Sequence, residues 1–278
     1  MSPEEYVGYE NLIRFIKDRE LQHLDGDIIE IGAYMGGGTV KLARFARKYH
    51  KKVFAVDTFD PGVDRTVGRG GVTAGEVYQA FLEGPSMLEV YESTTRGLDN
   101  IVTIKGDSRH VSLPGGQKFC FGFVDGCHQK AYVESDFALV WPRLVSGGAI
   151  GFHDYRFDDW PEVTPAVDGI VSEHRGEIVE TVEIKGKSDV STLLLLKRSS
   201  QAGYCALPSV RKLHLSTTPS LSEGMWRATA SSILRMPLET GLGSFERIEP
   251  HHGEAKNSDT PIESSTFICR FTILFSVL

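Results

Sequence analysis

Cysteine is scarce in this 278-residue chain, and the four present, Cys120, Cys127, Cys205 and Cys269, form no C-x-x-C pair. Their spacing suits neither a zinc cluster nor a disulfide framework, and reduced thiols in a cytosolic protein are the simplest reading. No apolar run approaches the roughly 18–20 residues that a bilayer span requires. The opening MSPEEYVGYE is acidic and lacks the apolar stretch of a secretory signal. Positive charge is in deficit: the net charge is −7, which argues against a partner held through a phosphate backbone. These absences predict a soluble cytoplasmic protein with no nucleic acid and no membrane among its partners. What remains, 41% hydrophobic and 24% charged residues, is an ordinary globular mix that can bury a core without disulfides or metals.

The apolar periodicity organises the first 198 residues. Tyr6, Leu12, Ile13, Phe15, Ile16 and Leu21 predict an amphipathic helix over 4–23, with Pro3 where a first-turn proline is tolerated. Short apolar strands are predicted at 28–31, 53–56, 101–104, 119–124 and 149–152. Helical stretches fall at 37–50, near 73–83 and 86–97, at 132–145 with Gly147-Gly148 as a stop signal, and at 163–174. Residues 178–185 and 191–197 read as a closing strand pair joined by a turn at Gly186-Lys187-Ser188-Asp189. Strands alternating with helices predict an α/β fold, Rossmann-like and doubly wound, with a mostly parallel seven-stranded sheet. Because no helix separates the last two strands, one of them is expected to run antiparallel at an edge.

Composition shifts near residue 199. Residues 199–278 hold 20 Ser or Thr, as many as the preceding 198 residues, and show no α/β alternation. The expected organisation is therefore a domain over 1–198 and a Ser/Thr-rich tail over 199–278. Two readings of the tail stand: a poorly ordered segment with a docking strand or helix, or the product of an altered reading frame or exon choice.

The chemistry concentrates at strand ends. Glu30-Ile31-Gly32-Ala33-Tyr34-Met35-Gly36-Gly37-Gly38-Thr39 follows a strand and opens a helix. Glycines there let the backbone turn sharply, and the helix start offers unpaired N–H groups to a ligand. The spacing is E-x-G-x-x-x-G-G, not the G-x-G-x-x-G of dinucleotide folds. Asp57, with Thr58, ends the second strand, where a carboxylate can accept both ribose hydroxyls of a nucleoside. Gly106-Asp107-Ser108 follows the third strand. Asp125 and Asp154 end neighbouring strands, so both carboxylates are expected to face one cleft. Phe137, Trp141 and Leu144 lie at helical spacing and read as core; Asp158, Asp159 and Trp160 read either as the lining of a substrate pocket or, by preference, as a solvated loop. The loop over 60–72, with Arg65 and Arg69, reads either as a cover for the cofactor or as solvent-facing.

The glycine segment resembles motif I of class I S-adenosylmethionine (SAM) methyltransferases. Residues 121–155, with Asp125, Gly126, His128, Tyr132, Asp136, Gly147, Gly148, His153, Asp154 and Tyr155, resemble a branch of small-molecule O-methyltransferases that includes enzymes of macrolide sugars. The resemblance spans about residues 26–198. It implies that SAM is bound by Glu30, Gly32, Ala33, Tyr34, Gly36, Gly38, Thr39, Asp57, Thr58, Asp107, Ser108 and Asp125, with Asp107 reaching the adenine amino group. It implies methyl transfer to a hydroxyl of a small-molecule acceptor, a sugar or a hydroxylated natural product, with Asp125, His128 and His153 as catalytic residues. Either histidine is a candidate base. Asp125, His153 and Asp154 are candidate ligands of a divalent cation such as Mg2+; His153 stands where some members of the branch carry a second aspartate. The branch also brings a homo-oligomer into consideration. Two rival functions remain. An NAD(P)-dependent oxidoreductase would need glycine or Y-x-x-x-K motifs that this sequence lacks. A catalytically degenerate member of the fold would bind a partner and turn nothing over.

Overall fold

The computed structural model describes residues 7–82, 84–186 and 190–199, and the tail beyond Ser199 lies outside them. Helix α1 covers Tyr9–Asp18, and a single 3-10 turn follows at Leu21–His23. The predicted helix over 4–23 is thus cut at its C-terminal end, because Glu20 takes a left-handed backbone with φ +55° that no α-helix continues through. Strand β1 (Asp27–Ile31), helix α2 (Gly37–Arg47) and strand β2 (Val53–Asp57) come next. Helices α3 (Ala74–Phe81) and α4 (Met87–Thr95) each start on a capping box, Thr73 with Glu76 and Ser86 with Glu89. Strands β3 (Ile101–Lys105) and β4 (Phe119–Val124), helix α5 (Lys130–Val140), strand β5 (Leu144–Tyr155), helix α6 (Val163–Glu173) and strands β6 (Ile178–Lys185) and β7 (Ser191–Lys197) complete the element order.

Gly147 and Gly148 correct the predicted boundary of helix 132–145. The helix ends at Val140, and Trp141-Pro142-Arg143 forms a 3-10 turn. Proline lacks the N–H that would continue the ladder. Both glycines instead sit inside β5, at an irregularity where the pairing with β4 shifts between Phe119 and Phe121. Gly147 has φ +80°, and a Cβ on Gly148 would lie 2.9 Å from the Cys120 carbonyl oxygen. They permit a bulge; they do not stop a helix.

The sheet order is β3-β2-β1-β4-β5-β7-β6. The first five strands are mutually parallel, and β7 runs antiparallel to both β5 and β6. The antiparallel strand therefore lies one place in from the edge, which β6 occupies. Burial explains the choice: β7 is buried at Ser191 through Leu196 and suits an interior position, whereas β6 is exposed or half-exposed after Ile178. Strand order reverses between β1 and β4, so a crevice opens at their carboxyl ends.

Two apolar layers flank the sheet. Leu12, Phe15, Ile16, Leu42 and Phe45 of α1 and α2 pack with Ile28 and Phe121 on one face. Phe137, Val140, Val167 and Ile170 of α5 and α6 pack with Ile29, Ile31 and Phe152 on the other. Phe137 and Trp141 are core, as their helical spacing predicts.

Candidate functional site

A cavity of about 210 Å³ opens at the carboxyl ends of β1, β2, β4 and β5. Its wall includes Gly32, Ala33, Tyr34 and Gly38 from the glycine turn, Asp57 and Thr58 after β2, and Ser108 after β3. Asp125 and His128 after β4 and His153 and Asp154 from β5 join the same wall. The turn and the distant acids thus share one pocket.

Hydrogen bonds lace the strand ends together. The Gly32 N–H donates to Val56 O (2.9 Å), and the Asp125 N–H donates to Ile31 O (2.8 Å). Asp57 accepts from the backbone N–H groups of Tyr34 (2.8 Å) and Phe59 (2.7 Å), one on each carboxylate oxygen. Burial pushes its pKa up against those bonds. Tyr34 (φ +49°), Phe59 (φ +53°) and Asp154 (φ +56°) hold left-handed backbones around this cavity. Such conformations cost roughly 1–3 kcal/mol each in non-glycine residues and gather at ligand sites.

Four residues of the expected cofactor set stand elsewhere. Glu30 is fully buried and outside the cavity wall. Side chains alternate along a strand, so Glu30 shares the face of Ile28 and points under α2, where Thr39 and Tyr9 (2.7 Å) donate to it. Thr39 is buried in the same knot. Gly36 packs under α4: a Cβ there would lie 3.0 Å from Tyr91 and Thr95. Asp107 turns to Arg109, which donates to it from Nη2 (2.8 Å) and Nε and holds its pKa well below the usual carboxylate range. Only its neighbours Gly106 and Ser108 face the cavity. Glu30 and Thr39 therefore brace the turn, and Asp107 braces the loop after β3.

Burial raises the Glu30 pKa to about 7 against the hydrogen bonds of Thr39 and Tyr9. A carboxyl whose folded pKa exceeds its unfolded value stabilises fully below the unfolded pKa, and that contribution is lost as pH rises through the folded one. Glu30→Gln is therefore expected to leave stability unchanged near pH 4 and to exceed the parent at pH 8, by an amount on the order of 3 kcal/mol. Denaturant unfolding at both pH values checks this; equal stabilities at pH 8 would refute it.

The acids at β4 and β5 converge. One ligand atom from each of Asp125, His153 and Asp154 lies within 4.8 Å of the others. His153 Nδ1 is 3.0 Å from Asp125 Oδ1 and 3.1 Å from Asp154 Oδ2. Neither oxygen lies where a ring N–H would point, so this buried nitrogen has no aligned hydrogen bond. An imidazole nitrogen beside two carboxylates offers donor types that divalent cations take, so the three residues fit such an ion.

His128 differs from the expected base. It is 5% exposed, Nδ1 lies 2.8 Å from Asp64 Oδ2, and Nε2 lies 2.9 Å from Asp154 Oδ2. Burial would lower its pKa, but the bonds to Asp154 and Asp64 outweigh that and push it up to about 10. An imidazole that donates from both nitrogens has no lone pair left for a substrate proton. His128 belongs to the scaffold of the site.

The sequence reading missed Asp64 and ranked the pocket reading of Trp160 second. Asp64 sits in the segment between β2 and α3 and is 6% exposed. Nothing in its neighbourhood marks it, since its partner lies 64 positions away. Trp160, read as part of a solvated loop, is 5% exposed and stacks on His128 with centroids 4.5 Å apart. Its size was the available signal, since a large aromatic side chain in a loop gains by burial. Arg69 is solvent-facing and pairs with Asp158 outside the cavity.

Comparison with known proteins agrees with this geometry. Residues 29–155 match the family described as a methyltransferase domain. Uncharacterized protein R132 of Acanthamoeba polyphaga mimivirus is 31% identical over 106 residues, which cover 31% of this chain and 46% of that one. The chain thus spans less than half the length of that relative. The O-methyltransferase NovP shares the fold, with a TM-score of 0.53 at 19% identity over 68% of this chain and 79% of that one. The calicheamicin methyltransferase CalS11 follows with a TM-score of 0.49, 17% identity, and coverage of 66% and 77%. Among the described residues no helix is long and apolar enough to cross a membrane.

Proposed function

We propose that residues 1–198 form a SAM-dependent O-methyltransferase that acts on a hydroxyl of a small polar acceptor, a sugar or a hydroxylated natural product. The observation that carries this reading is the meeting of Asp57, the Gly32 turn and the Asp125–His153–Asp154 cluster in one cavity. The O-methyltransferase NovP, which shares the fold, supports the choice of oxygen as acceptor.

When bound, SAM supplies a sulfonium methyl group whose C–S bond breaks as the acceptor oxygen forms its C–O bond. Asp57 retains lone pairs beyond its two backbone bonds and receives the ribose hydroxyls. Ala33, Tyr34 and Gly38 would face the amino-acid end, and Gly106 and Ser108 would face the adenine end. Asp125, whose carboxylate lines the cavity, receives the acceptor's proton. Asp125, His153 and Asp154 would hold a divalent cation such as Mg2+, which lowers the pKa of a hydroxyl bound to it. Positioning of the hydroxyl against the methyl group supplies much of the remaining rate.

Calorimetric titration of the full chain with SAM, S-adenosylhomocysteine (SAH) and NAD tests the cofactor. SAM and SAH are expected to bind; binding of NAD alone would favour an oxidoreductase. Transfer of labelled methyl from SAM to hydroxylated acceptors separates an enzyme from a fold that only binds. With an acceptor in hand, EDTA is expected to lower turnover by roughly 10-fold or more, with recovery on adding Mg2+. Full turnover in EDTA would remove the cation. A chain ending at Arg198 is expected to bind SAH as the full chain does.

A further inference from the structure

Asp64 lies outside every motif of the methyltransferase reading, yet it makes one of the closest side-chain contacts of the pocket. Its segment folds back on itself: the Thr66 N–H donates to Asp64 Oδ1 (2.9 Å) and the Gly75 N–H donates to Asp64 O (2.9 Å). Gly75 permits that closure, because a Cβ there would lie 2.2 Å from Pro61 O. With Oδ1 and the main chain tied down, Oδ2 is the one oxygen aimed inward, at His128 Nδ1.

His128 is held on three sides. Asp64 takes Nδ1, Asp154 takes Nε2 and Trp160 covers one ring face. Rotation of the ring about its own axis would break both hydrogen bonds at once. The ring in turn fixes Asp154 Oδ2, the oxygen that lies 3.1 Å from His153 Nδ1. A chain of contacts therefore runs from the segment after β2 to the acid cluster.

Resting on the function proposed above, we propose that Asp64 is a positioning residue that acts through His128. It locks the imidazole so that Nε2 holds Asp154 in line with Asp125 and His153. Partners one layer behind a ligand set orient it in this way, and their loss typically lowers metal affinity or activity by about 10- to 100-fold. Asp64 also joins the cavity wall after β2 to the opposite wall after β4, so the cluster is complete only when that segment is seated.

The test uses the full chain and a double-mutant cycle of Asp64→Ala, His128→Ala and both together. Mn2+ binding is read by electron paramagnetic resonance, and SAH binding by calorimetry. Asp64→Ala and His128→Ala are each expected to weaken Mn2+ by roughly 10- to 100-fold, and the double variant by no more than the worse single one. SAH affinity is expected to stay at the parent value. Parent-like Mn2+ affinity in Asp64→Ala, or losses that multiply in the double variant, would overturn the proposal. Trp160 emission provides a readout that needs no cation, with Trp160→Phe as the blank. Freeing the stacked ring by Asp64→Ala is expected to change that emission, and a spectrum identical to the parent would also overturn the proposal. Should Asp64→Ala fail to fold, Asp64→Asn keeps the shape and the acceptor for Thr66 while removing the charge, and it carries the same measurements. A parent chain that binds no SAH would instead strike at the cofactor reading, with the emission test still deciding the role of Asp64.

Discussion

Gly32→Ala is expected to cost the folded chain roughly 3–5 kcal/mol and to remove measurable SAH binding. Gly32 has φ +92°, where a side chain brings a penalty of about 1 kcal/mol before any contact is counted. The larger part comes from the neighbours. A Cβ would lie 2.0 Å from the Asp125 carbonyl oxygen, 2.4 Å from its carbon and 2.8 Å from the Gly126 nitrogen. All three are backbone atoms, so no rotamer change relieves the overlap. The end of β1 would have to part from the end of β4, breaking the bond from the Asp125 N–H to Ile31 O that closes the crevice. Gly71→Ala is the control: it has φ +74° but open space around the position, so only the conformational penalty applies. Thermal unfolding and SAH calorimetry on both variants decide the matter. A Gly32→Ala chain with parental melting temperature and SAH affinity would mean that the two strand ends do not approach as described.

Asp125→Asn should lower turnover by about 10²- to 10⁴-fold, the range that a positioned proton acceptor contributes. The carboxylate lines the cavity, and its Oδ1 is 3.0 Å from His153 Nδ1. Asparagine keeps the volume and the backbone bond to Ile31 but neither accepts a proton nor offers a charge to a cation. The loss should fall on kcat, because the residue proposed above to meet the cofactor's ribose is Asp57, on another strand. Steady-state kinetics with saturating SAM check this. Turnover within threefold of the parent would move the proton to another acceptor and leave Asp125 as a wall residue. The contrast with His128 is instructive: both were candidates from the same motif, but His128 spends both nitrogens on carboxylates.

Strand ends and motif spacing were legible from local pattern. Asp57, Asp125 and Asp154 were placed at strand ends because apolar runs stop there, and parallel strands bring such ends to one side of a sheet. For Glu30, the position next to the glycines is evident in sequence, but the face it occupies follows from strand alternation beneath α2. Asp107 stands after the third strand as expected, and Arg109, only two residues away, pairs with its carboxylate. The Gly147-Gly148 pair shows the same limit, since a glycine pair permits a bulge as readily as a helix stop and only the pairing of β4 with β5 distinguishes them.

What the amino-acid order determined alone is the alternation of strands and helices, and with it the mostly parallel sheet and the acids placed at its strand ends. Those depend on period-2 and period-3.6 apolar patterns, which are local properties of the chain. What the tertiary structure decided is which polar atoms meet: Asp64 with His128 across 64 positions, Trp160 on the same ring, and Tyr9 with Glu30 across 21. Such pairings follow from how helices and loops fold back over the sheet. A buried hydrogen bond depends on positions within tenths of an ångström, and no spacing rule along the chain carries that information.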